Sequence, residues 1–274
     1  MEGVPFGRFR RKTILIAAAA ALLAVAVAEL TAGCDTQHRE PSQAVSPSNG
    51  APSQTVSLSR GAPITLAFTG LESPSAVAVD GQGNVYVTDS TNNRVVKLAG
   101  GVGPQTVLSF TGLSKPSGVA VDGAGSVYVA DFNNNRVVKL AGGVGPQTVL
   151  PFAGLSDPMA VAVDGAGSVY VADYTNIRVL KLAGGASAST VLPFTGLDHI
   201  YGVAVDSAGD VYVTEYNSYS RNTSRVAKLA GGTGPQTELP LSGLSAPSGV
   251  AVDGAGSVYV ADHGGQQVVK LPVS

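Results

Sequence analysis

The sequence predicts an all-β fold, a five-bladed β-propeller with four antiparallel strands in each blade. First, a block of about 42 residues recurs five times, and each copy holds four short apolar runs separated by turns. Second, only 13% of the residues are charged and 35 are glycine, as in an ordered, turn-rich β protein. The anchor Val-Ala-Val-Asp, with spacings of 42, 42, 42 and 47 residues, marks the copies at Asp80, Asp122, Asp164, Asp206 and Asp253.

The second copy shows the four strands in order. Strand a is residues 119–121 (VAV), strand b 127–129 (VYV), strand c 136–140 (RVVKL) and strand d 148–152 (TVLPF). The runs are almost continuously apolar, which is typical of strands that neighbouring layers cover on both faces. Glycine-containing turns such as residues 122–125 (DGAG) join strands a and b.

Strand d also predicts how the ring closes. Its first copy, residues 64–68 (ITLAF), precedes the first Val-Ala-Val, while the last block ends its strand c at Leu271 with no strand d after it. We therefore expect residues 64–68 to complete the last blade and to remove its exposed edge. The prediction is twenty strands in five blades.

The N-terminus predicts export. Arg8, Arg10, Arg11 and Lys12 precede a sixteen-residue apolar run, and the sequence LTAGC then ends at Cys34. This pattern resembles a bacterial lipoprotein signal, which implies removal of residues 1–33 and lipidation of Cys34. An uncleaved anchor helix and a buried structural cysteine are the alternatives. The expected location is extracytoplasmic, on the cell membrane.

A tether and a propeller are expected after this signal. Residues 34–62 are rich in Pro, Ser, Gln and Asn and predict a flexible tether, and residues 63–274 form the propeller. Without the signal, 13 basic and 17 acidic residues remain, a net charge of −4. No basic patch is present for phosphate contacts, which argues against nucleic acid as a partner. We expect a monomeric propeller without a cofactor.

Several charged and aromatic residues recur in every copy and predict scaffold contacts. The five repeated aspartates either cap the a–b turns or, in a second interpretation, form a ring of metal ligands. Asp89 and Arg94 lie five residues apart across the b–c turn, as do Asp131 and Arg136 and also Asp173 and Arg178. Glu215 and Arg225 keep the pair across a five-residue insertion, and Gln267 replaces the arginine in the last copy. The repeated tyrosines are expected to pack between blades. They are Tyr86, Tyr128, Tyr170, Tyr212 and Tyr259.

The motif NNRVVKL at residues 92–98 and 134–140, with GVAVD and VYVAD before the second copy, resembles the NHL repeat. The whole unit is similar to the extracellular sensor propeller of a mycobacterial receptor-type serine/threonine kinase. The resemblance covers residues 64–271 and implies an NHL-type propeller with a sensing role. The 274 residues contain no glycine-rich loop with a strand lysine and no HRD or DFG motif, so we expect a partner to carry any signal onward.

The candidate site comes from positions where the copies differ. The d–a and b–c loops open on one end of a propeller, and aromatic and histidine residues gather there. Aromatic side chains that the scaffold does not need predict a recognition surface, although they could also simply cover the blade ends. The predicted ligand-binding residues are Phe132, Met159, Tyr174, His199, Tyr201, Tyr216, Tyr219 and His263.

Three classes of function follow from this surface. The favoured class is a non-enzymatic binding or sensing module for a cell-wall fragment, a peptide or an envelope protein. The second is a metal-dependent propeller lyase or hydrolase, in which Asp157 or Glu215 would join His199 and His263 as metal ligands. The third is a structural scaffold of the envelope.

Overall fold

The computed structural model describes residues 65–216 and 224–272, and these form the five antiparallel sheets of a β-propeller. Nineteen strands within these residues follow one another in the order a, b, c, d. Strands a are β1 (Pro74–Val79), β5 (Pro116–Val121), β9 (Pro158–Val163), β13 (His199–Val205) and β17 (Pro247–Val252). Strands b are β2 (Val85–Asp89), β6 (Val127–Asp131), β10 (Val169–Asp173), β14 (Val211–Tyr216) and β18 (Val258–Asp262).

Strands c and d complete the blades, and short 3-10 turns connect some of them. Strands c are β3 (Arg94–Leu98), β7 (Arg136–Leu140), β11 (Arg178–Leu182), β15 (Arg225–Leu229) and β19 (Gln267–Leu271). Strands d are β4 (Gln105–Val107), β8 (Gln147–Val149), β12 (Thr190–Val191) and β16 (Gln236–Glu238). The 3-10 turns are Ala99–Gly101, Phe132–Asn134, Ala141–Gly143 and Ala230–Gly232. The predicted all-β, five-bladed fold is confirmed.

The core lies between adjacent blades. All five residues of each strand b in blades 1, 2, 3 and 5 are buried, which confirms that neighbouring layers cover both faces. Tyr128 of blade 2, for example, packs in one cluster with Val171 and Leu180 of blade 3. Successive strands a approach so closely that a Cβ on Gly118 would lie 2.9 Å from the Cα of Ala160. The repeated tyrosines therefore pack between blades, as predicted.

The predicted strand d is too long. In blade 2 the paired residues end at Val149, although the N–H of Leu150 still donates to the carbonyl of Val137 in strand c at 2.9 Å. The side chains of Leu150 and Phe152 pack against the core shared with blade 3. The backbone N–H of Phe152 donates to the carbonyl of Leu150 at 2.8 Å, so a tight turn ends the strand. The TVLPF segment therefore begins as a strand, and its Leu150 and Phe152 side chains belong to the core between two blades.

The same kind of core packing explains why the predicted closing strand is wrong for residues 65–68. These residues are not in a strand, and Leu66 and Phe68 pack against the core of blade 1. Residue 64 lies outside the described residues, and the sheet of blade 5 has three strands within the described part. For residue 64, pairing with β19 remains a prediction.

The junction of blades 5 and 1 differs from the other four junctions. Each strand a packs on the next from β1 to β17, but β17 and β1 have no comparable contact among the described residues. The hydroxyl of Ser117 donates across a junction to the carbonyl of Pro158 at 2.7 Å. Its equivalent in blade 5, Ser248, bonds within its own blade, to Ala261. The described residues therefore do not close the ring.

The repeated aspartates cap the a–b turns, which confirms the capping interpretation. Asp122 Oδ1 accepts the backbone N–H groups of Ala124 at 3.0 Å and Ser126 at 2.8 Å. Its Oδ2 accepts the hydroxyl of Tyr128 at 2.8 Å. Burial raises the pKa of Asp122, but these hydrogen bonds outweigh burial and hold the pKa below its usual value. The other four blades repeat the same contacts.

The Asp–Arg pairs tie the loop before each blade to its b–c turn. Asp131 is fully buried and accepts Arg136 Nε at 2.7 Å and the N–H of Ser114 at 2.7 Å. Arg136 Nη2 also donates to the carbonyl of Gly112 at 2.8 Å. Blades 1, 3 and 4 repeat this arrangement, with Glu215 replacing the aspartate in blade 4. The predicted scaffold role is confirmed.

The N-terminal predictions concern residues that the structure does not describe. The signal, Cys34 and the tether all lie outside the described residues, as does Tyr219. Within residues 65–216 and 224–272, none of the helices has the length and apolar character needed to cross a membrane.

Candidate functional site at the junction of blades 3 and 4

One end of the propeller carries the d–a and b–c loops, and we call it the loop end. In every blade a β-bulge interrupts strand a next to its first or second residue at this end. A bulge bends the strand and re-aims a side chain, which often occurs beside functional sites. The bulged residues are Ser75, Ser117, Met159, Tyr201 and Ser248. Blades 3 and 4 therefore place a large side chain where the other blades place serine.

Blade 4 has a longer a–b ladder than the other blades. Strand a of the others begins at a proline, which has no N–H for the ladder. Ile200 takes the place of that proline and is fully buried, and β13 begins one residue earlier, at His199. His199 pairs with Tyr216 and Ile200 with Glu215. The change from proline to isoleucine thus sets His199 opposite Tyr216.

Three of the predicted residues form an aromatic cluster: Tyr174, His199 and Tyr201. The ring of Tyr174, which follows strand b of blade 3, lies 5.3 Å from the ring of Tyr201 and 5.7 Å from that of His199. The rings are tilted by 59° and 56°, a geometry that aromatic pairs favour. All three side chains are half-buried. The cluster bridges two blades and keeps part of its surface in contact with solvent.

Polar contacts orient the cluster. His199 Nδ1 lies 2.7 Å from Asp198 Oδ1, which leaves Nε2 as the ring nitrogen available for other contacts. Burial raises the pKa of the Tyr201 hydroxyl, and the neighbouring hydroxyl of Tyr174 raises this pKa further. Tyr201 is therefore a neutral phenol near neutral pH.

The other predicted residues lie at the loop end but outside this cluster. Phe132 begins the 3-10 turn after strand b of blade 2, and His263 occupies the same position in blade 5. Met159 is the bulged residue of blade 3, and all three side chains are half-buried. Within residues 65–216 and 224–272, ring contacts join only the members of the aromatic cluster.

Basic groups in the described part of the chain are almost all engaged in scaffold contacts. Five lysines lie over the rings of the repeated tyrosines, 4.9–5.4 Å from the ring centroids. Four arginines pair with the buried acids of the b–c turns. Lys115, on the d–a loop of blade 2, is the one described basic residue outside these two sets.

Two acidic side chains lie next to the aromatic cluster. Asp198 bonds His199, and Asp157 Oδ2 accepts the hydroxyl of Thr175, the residue after Tyr174, at 2.7 Å. Neither carboxylate pairs with a lysine or arginine within the described residues. The surroundings of the cluster are therefore acidic.

The described residues do not assemble the metal site of the alternative lyase or hydrolase function. No group of three or more His, Cys, Asp or Glu side chains that could hold a metal ion occurs in the described part of the chain. Glu215 bonds Arg225 and the N–H of Asp198, while Asp157 accepts Thr175.

Sequence reasoning missed Asp198 and the pairing of Asp157 with Thr175. Asp198 could have been found, since its position holds serine in blades 2, 3 and 5 and is acidic elsewhere only as Glu72. The Asp157–Thr175 contact joins two loops 18 residues apart, and no repeated pattern indicates it.

A separate cavity lies away from the aromatic cluster. Its volume is about 570 Å³, and Ser224 and residues 238–245 line it. It contains none of the predicted ligand-binding residues.

Comparison with known proteins agrees with this architecture. Residues 71–98, 113–140 and 244–271 match the NHL repeat. These segments contain strands a, b and c of blades 1, 2 and 5. No curated protein matches the chain.

Solved structures show the same fold. One chain of a nidogen/laminin complex has a TM-score of 0.65 at 20% identity, over 73% of this chain and 76% of that chain. A catalytically inactive variant of virginiamycin B lyase from Staphylococcus aureus, solved with quinupristin, has a TM-score of 0.59 at 13% identity, over 76% of this chain and 72% of that chain. At these identities the likeness shows the fold alone. The class is a five-bladed β-propeller with NHL repeats.

Proposed function

We propose that this protein is a non-enzymatic binding module that recognises its ligand through the loop end of the propeller. The observation that carries the proposal is the aromatic cluster of Tyr174, His199 and Tyr201 at the junction of blades 3 and 4. The equivalent positions in blade 1 hold Ser90, Ser73 and Ser75, so the repeat folds without these rings. Half-buried aromatic side chains of this kind are typical anchors of binding interfaces.

The expected ligand is a cell-wall fragment, a peptide or an envelope protein, bound outside the cytoplasmic membrane. The lipoprotein-type sequence ending at Cys34 supports this location. An extracytoplasmic binding module would also suit the sensor-like role that the resemblance to the kinase propeller implies. The solved lyase and the nidogen/laminin complex share the fold, and their ligands are not carried over to this chain.

Site-specific photo-crosslinking in cells tests the use of the loop end. A photoreactive residue at Thr175, exposed beside Tyr174, should give adducts with the ligand or partner. The same residue at Ala124, exposed on an a–b turn at the opposite end, is the matched control and should give none. Adducts from position 124 alone would place the binding surface at the wrong end of the propeller.

Detergent partitioning tests the location. Wild-type protein should enter the detergent phase, and Cys34→Ala should leave it, since stable anchoring by a lipoprotein needs its acyl chains. If Cys34→Ala remains in the detergent phase with an intact N-terminus, the N-terminal segment is an anchor helix.

A further inference from the structure

We infer that the aromatic cluster binds a cationic group of its ligand, an alkylammonium such as a lysine side chain or a quaternary amine. The inference rests on the proposed function, because it names the chemistry recognised by the same site. Three features of the described residues carry it. These are the arrangement of the rings, the two flanking carboxylates and the scaffold engagement of nearly all basic side chains.

The arrangement of the rings suits a small cation. A cation is attracted to the negative face of an aromatic ring within about 6 Å of its centroid. Tyr174 lies 5.3 Å from Tyr201 at a tilt of 59°, so the two rings turn their faces in different directions. Two tilted faces can contact one compact group, whereas the two outer faces of a flat stack point away from each other. Because Tyr201 stays a neutral phenol, it attracts a cation through the face of its ring and not through a phenolate charge.

The flanking carboxylates favour the same charge. Asp198 lies on the His199 side of the cluster, and Asp157 bonds Thr175 on the Tyr174 side. A cation bound at the cluster gains attraction from both carboxylates, whereas an anionic ligand would be repelled. Partial burial strengthens the effect, since charges at a protein surface interact more strongly than they do in bulk water.

Among the described residues, the distribution of basic side chains does not favour an anionic group at this junction. A site for a carboxylate or phosphate needs lysine, arginine or a free run of backbone N–H groups. The lysines over the repeated tyrosines and the arginines of the b–c turns are engaged in the scaffold. Lys115, the remaining basic residue of the described part, lies on blade 2 rather than at the junction of blades 3 and 4.

A neutral sugar is the main competing ligand, because pyranose rings also stack on tyrosine. Stacking of a sugar does not depend on the charge of Asp198, and its affinity would survive Asp198→Asn. Binding of a cation requires both the ring faces and the charge. The two ligands can therefore be separated by experiment.

Choline and 3,3-dimethylbutan-1-ol form a matched pair of probes. They have nearly the same shape, but only choline carries a charge. Binding of each probe is measured by ligand-observed NMR on the purified full chain, in a detergent without ammonium groups. N-acetylglucosamine serves as the neutral sugar. Choline should bind at least roughly tenfold more tightly than the alcohol and the sugar.

Variants assign the effect to the cluster. Tyr174→Leu should weaken choline binding by roughly tenfold, while Tyr174→Phe, which keeps the ring face, should restore it. Asp198→Asn should weaken choline binding by a few-fold and leave the alcohol unaffected. Glu72→Gln is the control, since it removes one charge at the equivalent position of blade 1. Its binding should equal that of the wild type.

Three results would overturn the inference: equal binding of choline and the alcohol, binding of the sugar alone, or no binding of choline. In each of these cases, adducts from position 175 in the crosslinking experiment would leave the proposed function intact. Adducts from position 124 alone would remove the proposed function as well.

Discussion

Asp131→Ala provides a sharp test of the repeated scaffold. The carboxylate of Asp131 is fully buried and accepts three donors within 2.8 Å. They are the N–H of Ser114, the side-chain amide of Asn134 and the guanidinium of Arg136. Alanine leaves all three without this acceptor, and removal of one partner of a buried ion pair costs about 3–5 kcal/mol. We therefore expect the free energy of unfolding to fall by that amount.

Arg136→Gln is the matched control, because blade 5 already has a glutamine at the equivalent position. Gln267 donates to Asp262 at 3.2 Å in place of the arginine. The glutamine should keep one hydrogen bond to Asp131 and lose the contact with Gly112, at a cost of about 1–2 kcal/mol.

Urea denaturation followed by circular dichroism measures both variants. A loss below about 1 kcal/mol for Asp131→Ala would refute the reasoning, because the buried pair would then contribute little. Equal losses for the two variants would refute the role given to the carboxylate as the common acceptor.

The remaining predictions concern pH, the ring junction and the turns. The folded-state pKa of Asp122 is lowered, so its contribution to stability is present above its ordinary pKa of 3.8 and is lost as the pH falls through the folded value. Thermal unfolding between about pH 5 and pH 3 should show this loss, and Asp122→Asn should reduce it; a wild-type midpoint that is constant over this range would contradict it. Deletion of residues 35–60 should leave the melting temperature unchanged. Deletion through residue 69 should lower the melting temperature, because Leu66 and Phe68 are lost from the core of blade 1. Equal melting temperatures of the two truncated proteins would contradict this prediction. Ala124→Ser, in an exposed a–b turn at the far end, should leave ligand binding unchanged.

The repeat made most of the fold predictable. A strict period fixes the identity and order of strands, so five sheets could be counted from Val-Ala-Val, Val-Tyr-Val and the V-(V/L/A)-K-L run. The end of strand d could not be predicted, because Val149 and Leu150 are both apolar although only Val149 is in the ladder. The hydrogen bond from Phe152 to Leu150 decides this point, and the sequence pattern does not show it.

For the candidate site, the sequence predicted the end of the propeller but not which residues come into contact there. Differences between copies indicated Tyr174, His199, Tyr201 and Tyr216, because the framework around them is constant. Which of the predicted residues meet depends on the packing of blade 3 against blade 4. The loss of proline at Ile200 extends the ladder and places His199 opposite Tyr216. Phe132 and His263 occupy equivalent positions on other blades, outside the cluster.

The measurement that tests the central claim most directly is the affinity of the crosslinked ligand or partner for variants of the aromatic cluster. Tyr174→Ala and Tyr201→Ala should each weaken binding by roughly tenfold or more, since truncated aromatic anchors typically cost about 2 kcal/mol. Phe132→Ala, at the position in blade 2 equivalent to Tyr174, shows how far the contact extends around the loop end. Unchanged affinity for both tyrosine variants, with circular dichroism equal to that of the wild type, would contradict recognition through the junction of blades 3 and 4.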